Sequence, residues 1–172
     1  KVLREKYGFQ TEILENPTWD QVMDKILSLK QKKFKKGDQL LLYFTGHGLF
    51  VPSKRDPTIG KGYFIPADAK KNDKHRKSYI YYQSIKPEIN DIACDRILMV
   101  IDACYSGSFL KYRDGDERPG KLSEREKLIA TALEKRCRKG ITSGGLERTK
   151  DGIHNSPFTL RFLTALNSEG GE

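Results

Sequence analysis

Two stretches of this chain have no polar face. Gln39 to Thr45 (QLLLYFT) and Arg96 to Ile101 (RILMVI) are strand-length runs in which the interior residues are all apolar. A surface helix spaces its apolar residues at three and four, and a half-solvated strand alternates, whereas an unbroken short run suits a strand covered on both faces. Strands of that kind belong to parallel sheets, in which crossover helices supply the cover.

The rest of the chain offers those helices. Thr18 and Gln21 form a capping box ahead of Trp19, Val22, Met23, Ile26 and Leu27, which share one helical face. Pro87 reads as the opening of a helix carrying Ile89, Ile92 and Ala93. Ser123 and Glu126 cap another, with Leu128, Ile129, Ala132 and Leu133 inward, and Ser156-Pro157 starts a last one bearing Phe158, Phe162, Leu163 and Leu166. Shorter strands are expected over Gly8 to Leu14 and Gly140 to Ser143, with an extended piece over Tyr63 to Pro66. Lys54 to Lys61 and Lys111 to Lys121 are rich in turn-forming and polar residues and read as loops. The alternation predicts an α/β fold: a mostly parallel sheet flanked by helices on both faces. No repeat or linker divides the chain, so residues 1–172 are expected to form one domain.

Composition excludes several classes. With 37% hydrophobic and 32% charged residues the chain has the make-up of a folded globule. No apolar run is long enough to span a membrane and no leader pattern opens the chain, so no membrane partner is expected. The chain starts at Lys1 inside what reads as a helix, which predicts a fragment or a processed product. The net charge of +9 owes much to Lys30 to Lys36 (KQKKFKK) and Lys70 to Lys77 (KKNDKHRK), both beside turn residues. Without zinc-finger spacing or an aromatic RNA-binding signature these read as solvated surface, and no specific nucleic-acid partner is expected. Three cysteines at wide, unrelated spacing make no disulfide framework and point to a reducing, cytoplasmic setting. No His/Cys grouping has metal-site spacing, so no metal site is assigned.

In open α/β sheets reactive groups collect beyond the carboxyl ends of the strands. The first apolar strand runs into Thr45-Gly46-His47-Gly48 and the second into Asp102-Ala103-Cys104-Tyr105-Ser106-Gly107. Neighbouring strands lie roughly 4.8 Å apart, so a His and a Cys leaving adjacent ends can share one cleft. The chemistry wants that pairing, because a thiol near pKa 8.5 is mostly protonated at neutral pH and an imidazole can take its proton. Flanking glycines let backbone approach a substrate and free N–H groups for an oxyanion; Gly48 and Cys104 are the candidate donors. A lone Cys after an apolar strand is usually core, and Cys94 and Cys137 are read that way. His75 and His154, in polar surroundings, are read as surface residues.

YFTGHG (Tyr43 to Gly48) and IDACYSGSF (Ile101 to Phe109) resemble the two catalytic motifs of caspase-like cysteine peptidases, nearest to metacaspases and their bacterial relatives. The cysteine follows the histidine by about 57 residues, near the roughly 50 of caspases. GYFIPADA (Gly62 to Ala69), ITSGGLER (Ile141 to Arg148) and NSPFTLRFLTAL (Asn155 to Leu166) resemble further family segments. Tyr105 stands where many metacaspases have His, and Asp102 where caspases proper have Gln. The family's first core strand, which lies upstream of the helix in which this chain begins, has no counterpart here.

The resemblance implies peptide-bond hydrolysis through a thioester, with Cys104 attacking and His47 as acid and base, and it requires no metal or organic cofactor. It implies that Asp102 lines the pocket for a substrate Arg or Lys, the other reading being that Asp102 only holds the local turn. It also implies self-cleavage between the cysteine strand and the next core strands, where Lys111, Arg113, Arg118 and Lys121 are available, and regulatory domains or partners outside this chain. Metacaspase-like enzymes respond to calcium, but Asp114, Asp116 and Glu117 match no calcium-loop spacing and read first as exposed loop. The alternative function is a catalytically silent caspase-like scaffold, against which the intact Cys–His pair argues.

Overall fold

The computed structural model describes residues 1–110, 136–145 and 155–168. Helix α1 (Val2–Tyr7) ends at Gly8, whose φ of 69° is the left-handed conformation glycine adopts most easily. Helix α2 (Trp19–Gln31) carries the expected capping box, Thr18 Oγ accepting from the Gln21 N–H and the Gln21 side chain accepting from the Thr18 N–H. Strands β1 (Gln39–Gly46), β2 (Gly48–Pro52), β3 (Gly60–Phe64) and β4 (Ile80–Tyr81) follow, then helix α3 (Tyr82–Asn90) and strand β5 (Arg96–Ala103). The short helix α4 (Gly107–Leu110), strand β6 (Cys137–Thr142) and helix α5 (Pro157–Asn167) complete the described elements.

The main sheet runs β1-β5-β6, with both pairings parallel. Side chains alternate across β5. Ile97, Met99 and Ile101 join Ile26 and Leu29 of α2 and Ile85 and Ile89 of α3 in the core on one face. On the other face Asp102 meets Ser156 and Thr159 at the start of α5, and Tyr43 of β1 packs on Phe162 at 5.9 Å between ring centroids. Helices therefore cover both faces, as the two apolar runs require. Helix α1 is tied to the far end of α5: the Lys6 ammonium and the Tyr7 hydroxyl donate to the carbonyls of Asn167 and Leu166, which α5 leaves without an intrahelical partner.

Several local expectations are corrected. Gly8 to Leu14 is not a strand: among the described residues β1 pairs only with β5, no strand lies alongside Gly8 to Leu14, and Ile13 is 79% exposed. An extended segment without a neighbour has no ladder in which to place its N–H and C=O groups. Helix α3 begins at Tyr82, five residues before Pro87, which sits inside it. Its inner stripe is Tyr82, Ile85 and Ile89, spaced three and four and continued by Ile92 just past its end, all essentially sealed from solvent, so apolar spacing outweighs the proline as a marker of the start. In α2 the stripe is Trp19, Val22, Ile26 and Leu29, and Leu27 faces solvent. Strand β1 is half-buried rather than sealed on both faces, and Cys137 is half-buried at the start of β6, while Cys94 is fully buried as expected. The helix expected from Ser123, the loop Lys111 to Lys121 with Asp114, Asp116 and Glu117, and His154 lie outside the described residues.

A second sheet, β2-β3-β4, is antiparallel. Gly48, expected only as the glycine that follows the histidine, opens a strand that returns along β3. The basic segment Lys70 to Lys77 wraps round the Asp73 carboxylate, which accepts from the Ser78 N–H, the Ser78 hydroxyl and the His75 N–H. His75 itself is exposed, as expected of a surface histidine. No described helix is long and apolar enough to cross a membrane.

Candidate active site

The register of the parallel pair fixes the site. Thr45 lies opposite Asp102 and Gly46 opposite Ala103, so the next residues out are His47 and Cys104, at the carboxyl ends of adjacent strands. His47 is the single residue between β1 and β2, two strands of different sheets. Gly46 has φ 145°, outside the comfortable range of other residues, and this lets the chain leave one sheet and enter the other within two residues. The His47 carbonyl accepts from the Ile65 N–H at 3.0 Å, which pins the crossing point. The histidine is exposed and the cysteine half-buried.

Gly48 fits because it has no side chain. A Cβ there would overlap the Cys104 carbonyl oxygen, lie 3.1 Å from its carbonyl carbon and reach 3.0 Å from the Tyr82 hydroxyl. Backbone of the His segment thus rests directly on backbone of the Cys segment. The ladder also orients Gly48. A bond from the Ile65 N–H to the His47 carbonyl makes Gly48 and Phe64 a non-hydrogen-bonded pair of the β2–β3 ladder, and the N–H of such a residue points away from the partner strand.

After Cys104 the backbone turns sharply. Tyr105 has φ 60°, a left-handed conformation costing a non-glycine residue about 1–3 kcal/mol that its surroundings must offset. They do so in two ways: the Tyr105 ring stacks on Phe50 at 6.0 Å, and its carbonyl accepts from the Ser108 N–H and Oγ at 3.1 and 2.8 Å. The stretch following β6 braces the turn from the other side. The Gly107 N–H donates to the Gly145 carbonyl at 2.9 Å, the Ser143 hydroxyl donates to the Ala103 carbonyl at 3.3 Å, and a Cβ on Gly107 would meet Gly145 Cα at 2.6 Å. Ser106, fully buried, reaches the Gly144 carbonyl at 3.4 Å. The motifs IDACYSGSF and ITSGG are therefore in contact through their glycines and serines, supports that no single motif discloses.

Asp102 is 6% exposed. Its Oδ2 accepts from the hydroxyls of Ser156 and of Thr159, the latter at 2.5 Å. Because the Thr159 proton goes to Asp102, Tyr43 is the donor in the bond between the Tyr43 and Thr159 hydroxyls. Ser156 also caps α5, accepting from the Thr159 N–H at 2.9 Å. Burial, and the neighbouring Asp102 charge, hold the Tyr43 phenol above its ordinary value, against the bond to Thr159. Among the described residues no Lys or Arg lies within ion-pair distance of Asp102. Among the same residues no three His, Cys, Asp or Glu side chains are grouped as metal ligands.

The sequence matches the family model of the caspase domain, a peptidase family, over residues 1–171, and the chain belongs to that family. No curated protein matches it.

Proposed function

We propose that this member of the caspase domain family is a cysteine endopeptidase that cleaves after arginine or lysine. The observation carrying the proposal is the register that leads β1 into His47 and β5 into Cys104 side by side. In this reading His47 takes the Cys104 proton, and the sulfur attacks the scissile carbonyl carbon. The oxyanion that forms is met by the N–H groups of Gly48 and Cys104, a contribution of about 3–4 kcal/mol per donor in related chemistry. Collapse of the intermediate breaks the C–N bond, His47 protonates the departing amine, and a water activated by His47 then hydrolyses the thioester. No metal or organic cofactor takes part in these steps.

Asp102 is proposed to receive the substrate's basic side chain. Two neutral hydroxyls and a helix N-terminus moderate its charge but do not cancel it, and a guanidinium could add two parallel charge-assisted bonds. A second reading of this residue is favoured by the same contacts: Asp102 anchors the start of α5 to the end of β5 and has no part in recognition. Asp102→Asn separates them, since the anchoring reading predicts a lower melting temperature with arginine selectivity intact. Self-cleavage between Lys111 and Lys121 follows from the same basic preference.

The deciding experiment is a peptide panel varied only at the residue before the cut, assayed with the parent chain, Cys104→Ala and His47→Ala. Cleavage of arginyl and lysyl peptides should vanish in Cys104→Ala and nearly vanish in His47→Ala. Retained cleavage by a pure Cys104→Ala protein would refute the nucleophile, and preference for aspartyl peptides would refute the pocket.

A further inference from the structure

Tyr82 is the one described residue whose side chain is sealed from solvent and whose polar atom has no hydrogen-bond partner. It is the first residue of α3, and its ring is wedged between Phe64 at 4.4 Å and Phe109 at 5.7 Å. Gly62 of β3 leaves room for it, since a Cβ there would come within 2.5 Å of the ring. This apolar slot aims the hydroxyl at the end of the sheet, where it lies 3.0 Å from the place a Gly48 Cβ would occupy, the same place that overlaps the Cys104 carbonyl oxygen. A tyrosine whose whole ring is buried usually finds its hydroxyl a partner, and a phenylalanine would fill this slot without leaving one unmet. An orphaned donor kept beside a reactive residue calls for an acceptor that exists in only part of the reaction cycle.

Resting on the proposal that Cys104 is the nucleophile, we infer that Tyr82 is a positioning residue whose hydroxyl donates a hydrogen bond to the Cys104 sulfur once it is ionised. The thiolate gains an acceptor role that the thiol hardly has. No proton leaves Tyr82: the phenol keeps its hydrogen and shares it. Consistent with this, the phenol is held well above its ordinary value, by burial first and by the Cys104 charge second, so it stays a donor wherever the thiolate exists. The register brings His47 to the end of β1 beside Cys104, and Asp102 and Tyr105 lie on its own segment. Asp102 is turned to Ser156 and Thr159 of α5, and Tyr105 is stacked on Phe50 of β2.

The test is the pH dependence of Cys104 alkylation by iodoacetamide, read by mass spectrometry of the Cys104 peptide so that Cys94 and Cys137 do not interfere. Tyr82→Phe should raise the thiol pKa by about one unit, leaving roughly tenfold less thiolate at neutral pH. Peptidase kcat should fall with it while KM stays put. The melting temperature should hold or rise, because the orphaned hydroxyl is gone. A folded Tyr82→Phe chain with an unchanged alkylation profile would overturn the inference, as would lost activity with an unchanged thiol pKa. If Tyr82→Phe does not fold, 3-fluorotyrosine at position 82, a stronger donor, should move the thiol pKa downward, and no movement overturns the inference. Alkylation needs no turnover, so failure of the nucleophile assignment shows separately, as cleavage surviving in Cys104→Ala.

Discussion

Replacing Gly48 with alanine puts a methyl group where the Cys104 carbonyl oxygen already stands. Real Cβ atoms essentially never come within 3.0 Å of such a neighbour, and here the intruded atom is backbone, not the yielding tip of a side chain. The Cys104 carbonyl must retreat by about 1 Å, and in the proposed role of Cys104 a displacement of that size costs about a hundredfold in rate. The methyl group also meets the Tyr82 hydroxyl at 3.0 Å, a second neighbour that must give way. The sheet itself should survive, since β1 and β5 remain paired along eight residues each.

Gly48→Ala is therefore expected to lower kcat/KM by about a hundredfold or more. Overpacking of this kind destabilises by about 1–3 kcal/mol, and each kcal/mol lowers the melting temperature of a chain this size by about 2–4 °C. The assay is steady-state cleavage of an arginyl peptide beside a thermal melt of the same preparation. Activity within threefold of the parent, in a protein that melts where the parent does, would show that the two strand ends do not touch as described.

Two other outcomes are expected. Thr159→Val removes one donor to Asp102 and the acceptor of the Tyr43 hydroxyl; leaving such groups unpaired costs about 1–3 kcal/mol, seen as a lower melting temperature, and an unchanged melt would refute the network. Asp73 is held below the ordinary carboxylate value of 3.8, by the Ser78 N–H first, so its contribution is present above that value and is lost as pH falls through the lower, folded one. Acid titration below pH 3.8 should loosen the Lys70 to Lys77 turn in the parent, followed by the Ser78 amide in NMR, and Asp73→Ala should be loose already at neutral pH.

The two parallel strands and their ends were legible because fully apolar runs leave little choice of environment, and because strand ends in such sheets have a fixed meaning. The capping box of α2 was legible for a similarly local reason: Thr18 and Gln21 satisfy each other's backbone. What was not legible depended on neighbours. Gly8 to Leu14 has strand-like residues but no strand beside it among those described. The second sheet was missed because β2 is only five residues and opens with a glycine already assigned to the site. Pro87 misled about α3 because its ring marks helix starts on average, while the stripe Tyr82, Ile85, Ile89 and Ile92 could have been counted across it. Nothing in the sequence links Tyr82 to Cys104, or Asp102 to Ser156 and Thr159, since those contacts join segments that only the fold brings together.

These distant links bear on how variants at the site should be read. Asp102 belongs at once to the end of β5 and to the cap of α5, so a change there alters the strand end and the helix start together. A Cβ on Gly48 would meet both the Cys104 backbone and the Tyr82 hydroxyl, so a change there moves the proposed nucleophile and its neighbour together. Loss of activity from a single substitution is ambiguous at such positions, because residues in contact are not energetically independent. Paired substitutions resolve it. If Asp102 and Thr159 act only through the anchor, removing both should destabilise the chain little more than removing one, and arginine selectivity should be untouched. If Asp102 also meets the substrate, Thr159→Val should weaken the fold without abolishing selectivity, whereas Asp102→Asn abolishes selectivity whether or not Thr159 is present. The double-mutant cycle thus separates the structural from the recognitive part of one carboxylate.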